Sequence, residues 1–249
     1  VVATAGSTPT GSFDDLTAIA DVCDARGLWL HVDGAHGASA LLSPVHRDRL
    51  RGIDRARSLA WDPHKLLLMP LSAGMLVVRD VRDLDGAFAQ RAPYLFNDGE
   101  EQRARDHGRR SFMCSRRADA LKVWIALQRY GRSGLAALHD HLCRTAHELW
   151  SEVGARPELE AVHEPESNIL CFRYVGEGRR DEATLDAVNA ELRERYNRSG
   201  HGWITTTVLG GRRVLRVTIM NPRTGREQTR AMLDRVVELG RELAAGGSG

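Results

Sequence analysis

Lysine is scarce in this sequence, and its scarcity draws attention to the two places where it occurs. Of 35 basic side chains, 33 are arginine, and only Lys65 and Lys122 are lysine. An arginine stays protonated and cannot form an imine, whereas a lysine amine can be desolvated, deprotonated and used as a nucleophile. A lysine in such an arginine-rich chain therefore indicates a position at which an amine is needed.

Lys65 and Asp33 each follow a short apolar segment that predicts a β-strand. Residues 28–32 run into Asp33, and residues 58–61 run into Asp-Pro-His-Lys at 62–65. An amine and a carboxylate at adjacent strand ends suit pyridoxal 5'-phosphate (PLP), because a lysine holds its aldehyde and a carboxylate keeps its ring nitrogen protonated. The alternative is that Asp33 is a turn or cap residue and Lys65 a solvated one.

The elements that must position these residues alternate between strand and helix. Strands are predicted at 1–5, 28–32, 58–61 and 73–78. Helical spacing over 13–26, ended by Gly27, predicts a helix. This alternation predicts an α/β fold with a mostly parallel sheet, in which functional residues gather where strands end.

The second half of the chain has a different pattern. From about 84 to 110 the sequence is polar and irregular, which predicts a mobile loop. Beyond the loop, helices are predicted at 117–129, 135–153, 182–196 and 227–243, and strands at 168–175, 203–208 and 214–219. We therefore expect a large domain over 1–115, a small α+β domain with an antiparallel sheet over 116–245, and a flexible tail at 246–249.

Composition narrows the class of protein. The 249 residues are 42% apolar and 27% charged, with a net charge of +2, which is ordinary for a globular enzyme and unlike a nucleic-acid binder. No apolar run reaches the roughly 18 residues that a membrane span needs. The four scattered cysteines form no C-x-x-C pair, and the first residues resemble no signal peptide, so we expect a reduced cytoplasmic protein without nucleic-acid or membrane partners.

Several segments resemble the group II PLP-dependent amino-acid decarboxylases. Residues 29–37 (WLHVDGAHG) resemble the aspartate motif of that family, and residues 62–65 (DPHK) resemble its lysine motif. Further segments resemble the family in the same order at 3–14, 81–95, 115–124 and 215–222. The resemblance implies a fold-type I PLP-dependent transferase-like architecture and decarboxylation of an L-amino acid to an amine and CO2.

The resemblance also implies roles for individual residues. Lys65 would bind the cofactor aldehyde as a Schiff base, and Asp33 would pair with the pyridinium. Residues expected around the ring are Ala35 on one face, Thr8 near the ring oxygen or Asp33, His64 beside the cofactor and Asp62 near the phosphate. Asp62 is an anion where relatives carry a neutral Asn, which argues against direct phosphate contact. His64 is equally well explained as a structural, hydrogen-bonded histidine.

Tyr94 is the informative residue of the predicted loop. In the family a loop Tyr donates the proton to Cα after CO2 leaves, whereas a Phe there is associated with aldehyde synthases. The alternative is an aromatic side chain that only packs. The family's loop closes over the site of a neighbouring subunit, which implies a homodimer or a heteromer with the site at the interface.

Other candidates carry weaker signals. Arg216 could bind a substrate carboxylate or form a structural ion pair, and His36 stands where aromatic decarboxylases commonly have Tyr. Lys122 is expected on a helix surface. Three possible metal ligands recur every four residues at His139, Cys143 and His147, but an ordinary helix face is the favoured interpretation, and no metal is expected.

The resemblance covers the C-terminal half of the family. A complete member is about twice as long, so we expect an N-terminal half, possibly a separate chain, to supply most of the phosphate donors at a helix N-terminus. Alternatives to an amino-acid decarboxylase are an aldehyde synthase, another carbon–carbon lyase of the same fold, and a non-catalytic partner subunit. The amino acid used as substrate is not identified by these residues.

Overall fold

Two four-stranded sheets organise the chain, one in each half. The computed structural model describes residues 1–89, 92, 106–113, 115–178 and 181–246. Within those residues, the strand orders are β1-β2-β3-β4 and β5-β6-β8-β7. The predicted mostly parallel sheet followed by an antiparallel one is confirmed, while the division into domains at 115/116 stays a prediction.

The first sheet carries the residues of chemical interest. Its strands are β1 (Val2–Thr4), β2 (His31–Asp33), β3 (Ser58–Trp61) and β4 (Met75–Val78). The first three run parallel, and β4 is antiparallel to β3. Helix α1 (Leu16–Arg26) connects β1 to β2 and buries its apolar side chains against Val32 and its neighbours in the sheet. Burial of that face fixes which side of the sheet is covered.

Local capping sets the two ends of α1. The Asp15 carboxylate accepts the Ala18 amide at 3.0 Å, so the helix begins at Leu16 and not at the predicted residue 13. Gly27 ends the helix with φ 63°, a left-handed conformation that glycine adopts without a side-chain clash. The predicted helix stop at Gly27 is confirmed.

The second sheet is antiparallel throughout and lies against three helices. Helix α2 (Val81–Ala87) follows the first sheet in the chain. The helices of the second half are α3 (Ala120–Gly154), α4 (Glu182–Arg198) and α5 (Arg226–Gly246). Its strands are β5 (Leu159–Ala161), β6 (Ile169–Tyr174), β7 (Thr205–Leu209) and β8 (Arg212–Thr218). The apolar faces of the three helices and of β6 and β8 form one core. Every residue of β6 is buried, which explains why five of its six residues are apolar. The sixth, Arg173, pairs with Glu182 and Asp186 at 2.6 Å each.

Several boundaries differ from the predicted ones. The two helices predicted over 117–153 form one run that changes direction at Gly131, where φ is 63° and ψ 178°. Strand β5 was not predicted, because three residues are too few to show a period. The 3₁₀ turns between residues 37 and 55 were also not predicted. Helix α5 extends to Gly246, and the rest of the predicted tail lies outside the described residues.

The predicted mobile loop begins inside a helix. Residues 84–87 belong to α2, and His107–Arg110 form a 3₁₀ turn. Most of the segment between them, including Tyr94, lies outside the described residues. Across the helices that the structure describes, none is both long and apolar enough to cross a membrane.

Asn189 joins α4 to β6 through three hydrogen bonds. Its Oδ1 accepts the Tyr174 amide at 2.9 Å, and its Nδ2 donates to the carbonyls of Tyr174 at 2.9 Å and Leu185 at 2.8 Å. The side chain is fully buried, so water cannot replace these bonds.

We expect Asn189→Leu to lower the free energy of unfolding by about 3 kcal/mol, because the substitution removes the three buried hydrogen bonds that the Asn189 side chain makes. Urea denaturation would measure the change. Glu191→Ala on the exposed side of the same helix serves as the control and should cost less than about 0.5 kcal/mol. Equal effects of the two substitutions would contradict this account of Asn189.

Candidate functional site

Asp33 ends β2 at the carboxyl edge of the first sheet. Its backbone carbonyl accepts the Ala5 amide at 2.8 Å, and its carboxylate accepts the Ala35 amide at 3.1 Å. The side chain is exposed, whereas Val32 before it is fully buried. The strand therefore holds the carboxylate at the surface of this edge, where a ligand can reach it.

Glycine makes a close turn possible after Asp33. The Gly37 amide donates to the Ala5 carbonyl at 2.9 Å, and a Cβ at residue 37 would lie 2.5 Å from that carbonyl oxygen. Any other residue would push the turn away from β1. The position of Ala35, the predicted ring-face residue, depends on this turn. Ala35 is half-buried, and its carbonyl accepts the Asp62 amide at 3.1 Å.

Lys65 lies in the turn that follows β3, next to the β2 edge. Its Nζ is 2.9 Å from Asp62 Oδ2, and the side chain is 36% exposed. The amine is therefore accessible, and the ion pair fixes its direction. The sequence placed Asp62 near the cofactor phosphate, whereas in the structure its carboxylate faces Lys65 and lies 3.8 Å from His64 Nε2.

The ring of His64 is attached to the backbone of Ala73. Its Nδ1 lies 2.9 Å from the Ala73 carbonyl oxygen and 3.2 Å from the Ala73 amide, and the His64 amide donates to the same carbonyl at 3.3 Å. These contacts close the turn that carries Lys65. They favour the structural interpretation of His64 while leaving Nε2 directed toward Asp62.

Lys122 holds the far end of the same turn, which the sequence did not predict. Its Nζ donates to the carbonyls of Pro70 at 3.2 Å and Ser72 at 2.8 Å and to Asp119 Oδ1 at 2.7 Å. Lys122 is partly exposed on the surface of α3, as expected, and it also cross-links this helix to the Lys65 turn. The three rotatable donors of an ammonium suit three oxygens that converge on one point, unlike the planar fork of arginine.

His36 connects the first sheet to the second. Its Nε2 lies 2.6 Å from Asn168 Oδ1, and the amide of that fully buried side chain donates to the Ile219 carbonyl at 2.9 Å. Because Asn168 uses its amide on Ile219, its oxygen must accept, and His36 carries its proton on Nε2. Burial lowers the pKa of His36, the Asn168 bond opposes this shift, and the positive charges of Lys65 and Arg216 lower it further.

Arg216 reaches from β8 to the turn that contains Thr8. Its Nε donates to the carbonyls of Thr8 and Pro9 at 3.0 Å each, and its Nη2 donates to Thr8 at 2.7 Å. Burial lowers the pKa of this guanidinium. Arg216 therefore binds backbone carbonyls and does not form the ion pair considered from the sequence. Among the described residues, its Nη1 has no hydrogen-bond partner. Thr8 is exposed and contributes its carbonyl.

The assembled residues fit PLP in the chemistry of their donors. An accessible amine and an exposed carboxylate lie where the adjacent strands β3 and β2 end, and the Arg216 guanidinium reaches the turn after β1. An amine can hold an aldehyde, and cationic side chains suit an anionic cofactor and an amino-acid carboxylate. Sequence reasoning missed Asn168 and Lys122, although a polar residue directly before the buried run of β6 was a readable signal for the first.

Comparison with known proteins agrees with this site. Residues 1–175 match the family model described as the pyridoxal-dependent decarboxylase conserved domain. The chain is 37% identical over 244 residues to L-2,4-diaminobutyrate decarboxylase of Rhizobium meliloti, covering 98% of this chain and 48% of that protein. It is 38% identical over 253 residues to human cysteine sulfinic acid decarboxylase, covering 98% and 51%.

The likeness extends to three dimensions. The crystal structure of Oryza sativa TDC with PLP and tryptamine superposes with a TM-score of 0.89 at 29% identity, covering 98% of this chain and 50% of that one. The predicted fold class is thereby confirmed. The chain spans about half the length of the curated relatives it matches. With two motifs at one sheet edge and a family model that matches most of its length, the chain belongs to the pyridoxal-dependent decarboxylase family.

Proposed function

We propose that this chain carries the lysine, the ring-nitrogen carboxylate and the proton donor of a PLP-dependent L-amino-acid decarboxylase that releases an amine and CO2. The observation that carries the proposal is the meeting of Lys65 and Asp33 at one edge of the sheet in a member of this family. Bound PLP supplies an electron sink for the electrons left at Cα when the carboxylate departs as CO2.

Four residues near the sheet edge have specific roles in this proposal. Lys65 holds the cofactor aldehyde through Nζ, and Asp33 keeps a proton on the ring nitrogen. Asp62 directs the Lys65 amine through the 2.9 Å ion pair, and this task replaces the predicted phosphate contact. His64 closes the lysine turn through Ala73, and its Nε2 lies 3.8 Å from Asp62 Oδ2.

Substrate recognition is assigned to His36, Arg216 and the Thr8 turn. Arg216 keeps Nη1 available for an anionic group while its other contacts hold it against the carbonyls of Thr8 and Pro9. His36 donates to Asn168 and is neutral near pH 7, because its pKa lies below the ordinary histidine value. The neutral His36 ring lies near the cations Lys65 and Arg216. An anionic group of the substrate could bind to these cations, and His36 would add no further charge.

The site is open within this chain, and we propose that further polypeptide completes it. The Asp33 side chain is exposed, and the curated relatives are about twice as long. A homodimer or heteromer is supported by exposed apolar side chains at Phe112, Met113, Leu121, Trp124, Ile125 and Tyr130. The described cysteines are buried free thiols, which supports a reducing, cytoplasmic location.

Borohydride trapping tests the assignment of Lys65. We expect reduction of the PLP-loaded protein, with any accompanying segment or subunit present, to fix a pyridoxyl mass on the peptide that contains Lys65. The absorbance band of bound PLP near the visible edge should disappear in Lys65→Ala. Lys122 is the matched internal control, because all three of its donors are engaged in the structure.

A band that survives Lys65→Ala, or a label found mainly on Lys122, would refute the assignment of the cofactor lysine. Normal trapping without CO2 release from any of a panel of L-amino acids would instead support the alternative of a non-catalytic subunit.

The proton-donor role of Tyr94 rests on the sequence alone, because the residue lies outside the described part of the chain. We expect Tyr94→Phe to reduce amine formation by about 100-fold or more, since a phenyl ring has no proton to give to Cα. Amine and aldehyde products would be separated by chromatography. Unchanged amine production would exclude the role, and aldehyde formation by the unsubstituted protein would favour the aldehyde synthase alternative.

Lys122→Met tests whether the cross-link positions Lys65. The substitution removes three charge-assisted hydrogen bonds, so we expect a loss of about 2 kcal/mol in unfolding free energy and weaker PLP binding. Arg129→Met, an exposed cation on the same helix, is the control and should change neither quantity. PLP affinity that is unchanged while stability falls would assign Lys122 a purely structural role.

A further inference from the structure

Three potential metal ligands converge at the contact between the two halves of the chain. His139 and Cys143 lie on successive turns of α3, and His46 precedes the 3₁₀ turn Arg47–Leu50. One ligand atom from each lies within 4.8 Å of the others. Bonds of about 2.0–2.3 Å to a tetrahedral zinc ion place ligand atoms roughly 3.5 Å apart, so closing of about 1 Å would complete the geometry.

Asp140 can supply a fourth donor beside the two histidines. Its Oδ1 lies 3.5 Å from His139 Nδ1 and 3.8 Å from His46 Nε2. This oxygen is buried and makes no hydrogen bond to the described residues. A buried carboxylate oxygen without a partner is costly, and a bound cation would remove that cost.

His139 and Cys143 are buried side by side on α3, with 3.9 Å between Cys143 Sγ and the His139 ring nitrogens. Both nitrogen atoms of an imidazole can serve as ligand atoms, and a thiol becomes a ligand once it loses its proton. Cation binding would replace the thiol proton, which passes to solvent as the metal–sulfur bond forms.

The charges balance around a divalent ion. Two neutral imidazoles, one thiolate and one carboxylate offset a charge of +2. The Arg49 guanidinium, whose charge acts on both Cys143 and His46, is already paired with Glu166 at 3.2 Å. Ligands of mixed nitrogen, sulfur and oxygen type suit zinc, which has no geometric preference of its own.

We propose that His46, His139, Asp140 and Cys143 form a structural binding site for a zinc-class divalent cation that ties residues 43–50 to α3. This site differs from the row of ligands visible in the sequence, for which no metal was expected. His147 is half-exposed and contacts Glu164 at 3.2 Å, so it is not part of the site. The third ligand is instead His46, which precedes His139 by 93 residues in the chain.

Cobalt titration of the metal-stripped protein tests the proposal. We expect one equivalent of Co²⁺ to produce d–d bands in the red, beyond the absorption of PLP, and a sulfur-to-cobalt band in the near ultraviolet. Zinc should displace the cobalt and raise Tm by roughly 5 °C. Cys143→Ser should remove the sulfur band, His46→Ala should weaken binding by about tenfold or more, and His147→Ala should behave like the unsubstituted protein.

The absence of red bands at stoichiometric cobalt would overturn the proposal. Binding that survives both His46→Ala and Cys143→Ser, or that is lost in His147→Ala, would overturn it equally. His46 lies outside α3 with its side chain 20% exposed, so its variant should fold even where a substitution within α3 does not, and circular dichroism would verify this. Lys65 takes no part in these readouts, so the result is independent of the proposed decarboxylase.

Discussion

The register between β2 and β3 decides where Asp33 and Lys65 can meet. Asp33 pairs with Ala60, so β3 continues one residue further along the shared edge before the lysine turn begins. Two backbone bonds beyond the strands, from Gly34 to Ala60 at 3.0 Å and from Asp62 to Ala35 at 3.1 Å, extend the pairing into both turns. A shift of one residue would direct the side chains to the opposite face.

The second sheet depends on the same edge. The Arg216 guanidinium donates to two carbonyls in the turn that follows β1. The Asn168 side-chain oxygen accepts from His36 in the turn that follows β2. These bonds have little tolerance for rearrangement, because Asn168 is fully buried and is also committed to Ile219. The two halves therefore meet through oriented polar contacts at the candidate site.

Much of the fold was predictable because its signals are local. Most residues of β6 are apolar because the strand is buried along its whole length. Gly27 ends α1 because that position requires a left-handed backbone conformation. Asp33 and Lys65 could be identified because the motifs are short and lie at strand ends. Their adjacency followed from strands of a parallel sheet sharing one edge.

The remaining features depend on contacts between residues far apart in the chain. Nothing near Lys122 in sequence indicates that its ammonium reaches Pro70 and Ser72, 50 or more residues away. Likewise, spacing on α3 pointed to His147 as a companion of Cys143, whereas packing selected His46. Hydrophobic periodicity indicates which face of a helix is buried, but it does not indicate which distant residues pack against that face.

The two lysines also give the molecule an unusual reactivity. Lys122 has each of its ammonium hydrogens directed at an oxygen, while the Lys65 side chain remains accessible beside a single carboxylate. Of the two side-chain amines, we therefore expect Lys65 to react faster than Lys122 with acylating or carbonyl reagents. Site-selective attachment of a probe at the candidate catalytic position would require no engineered residue.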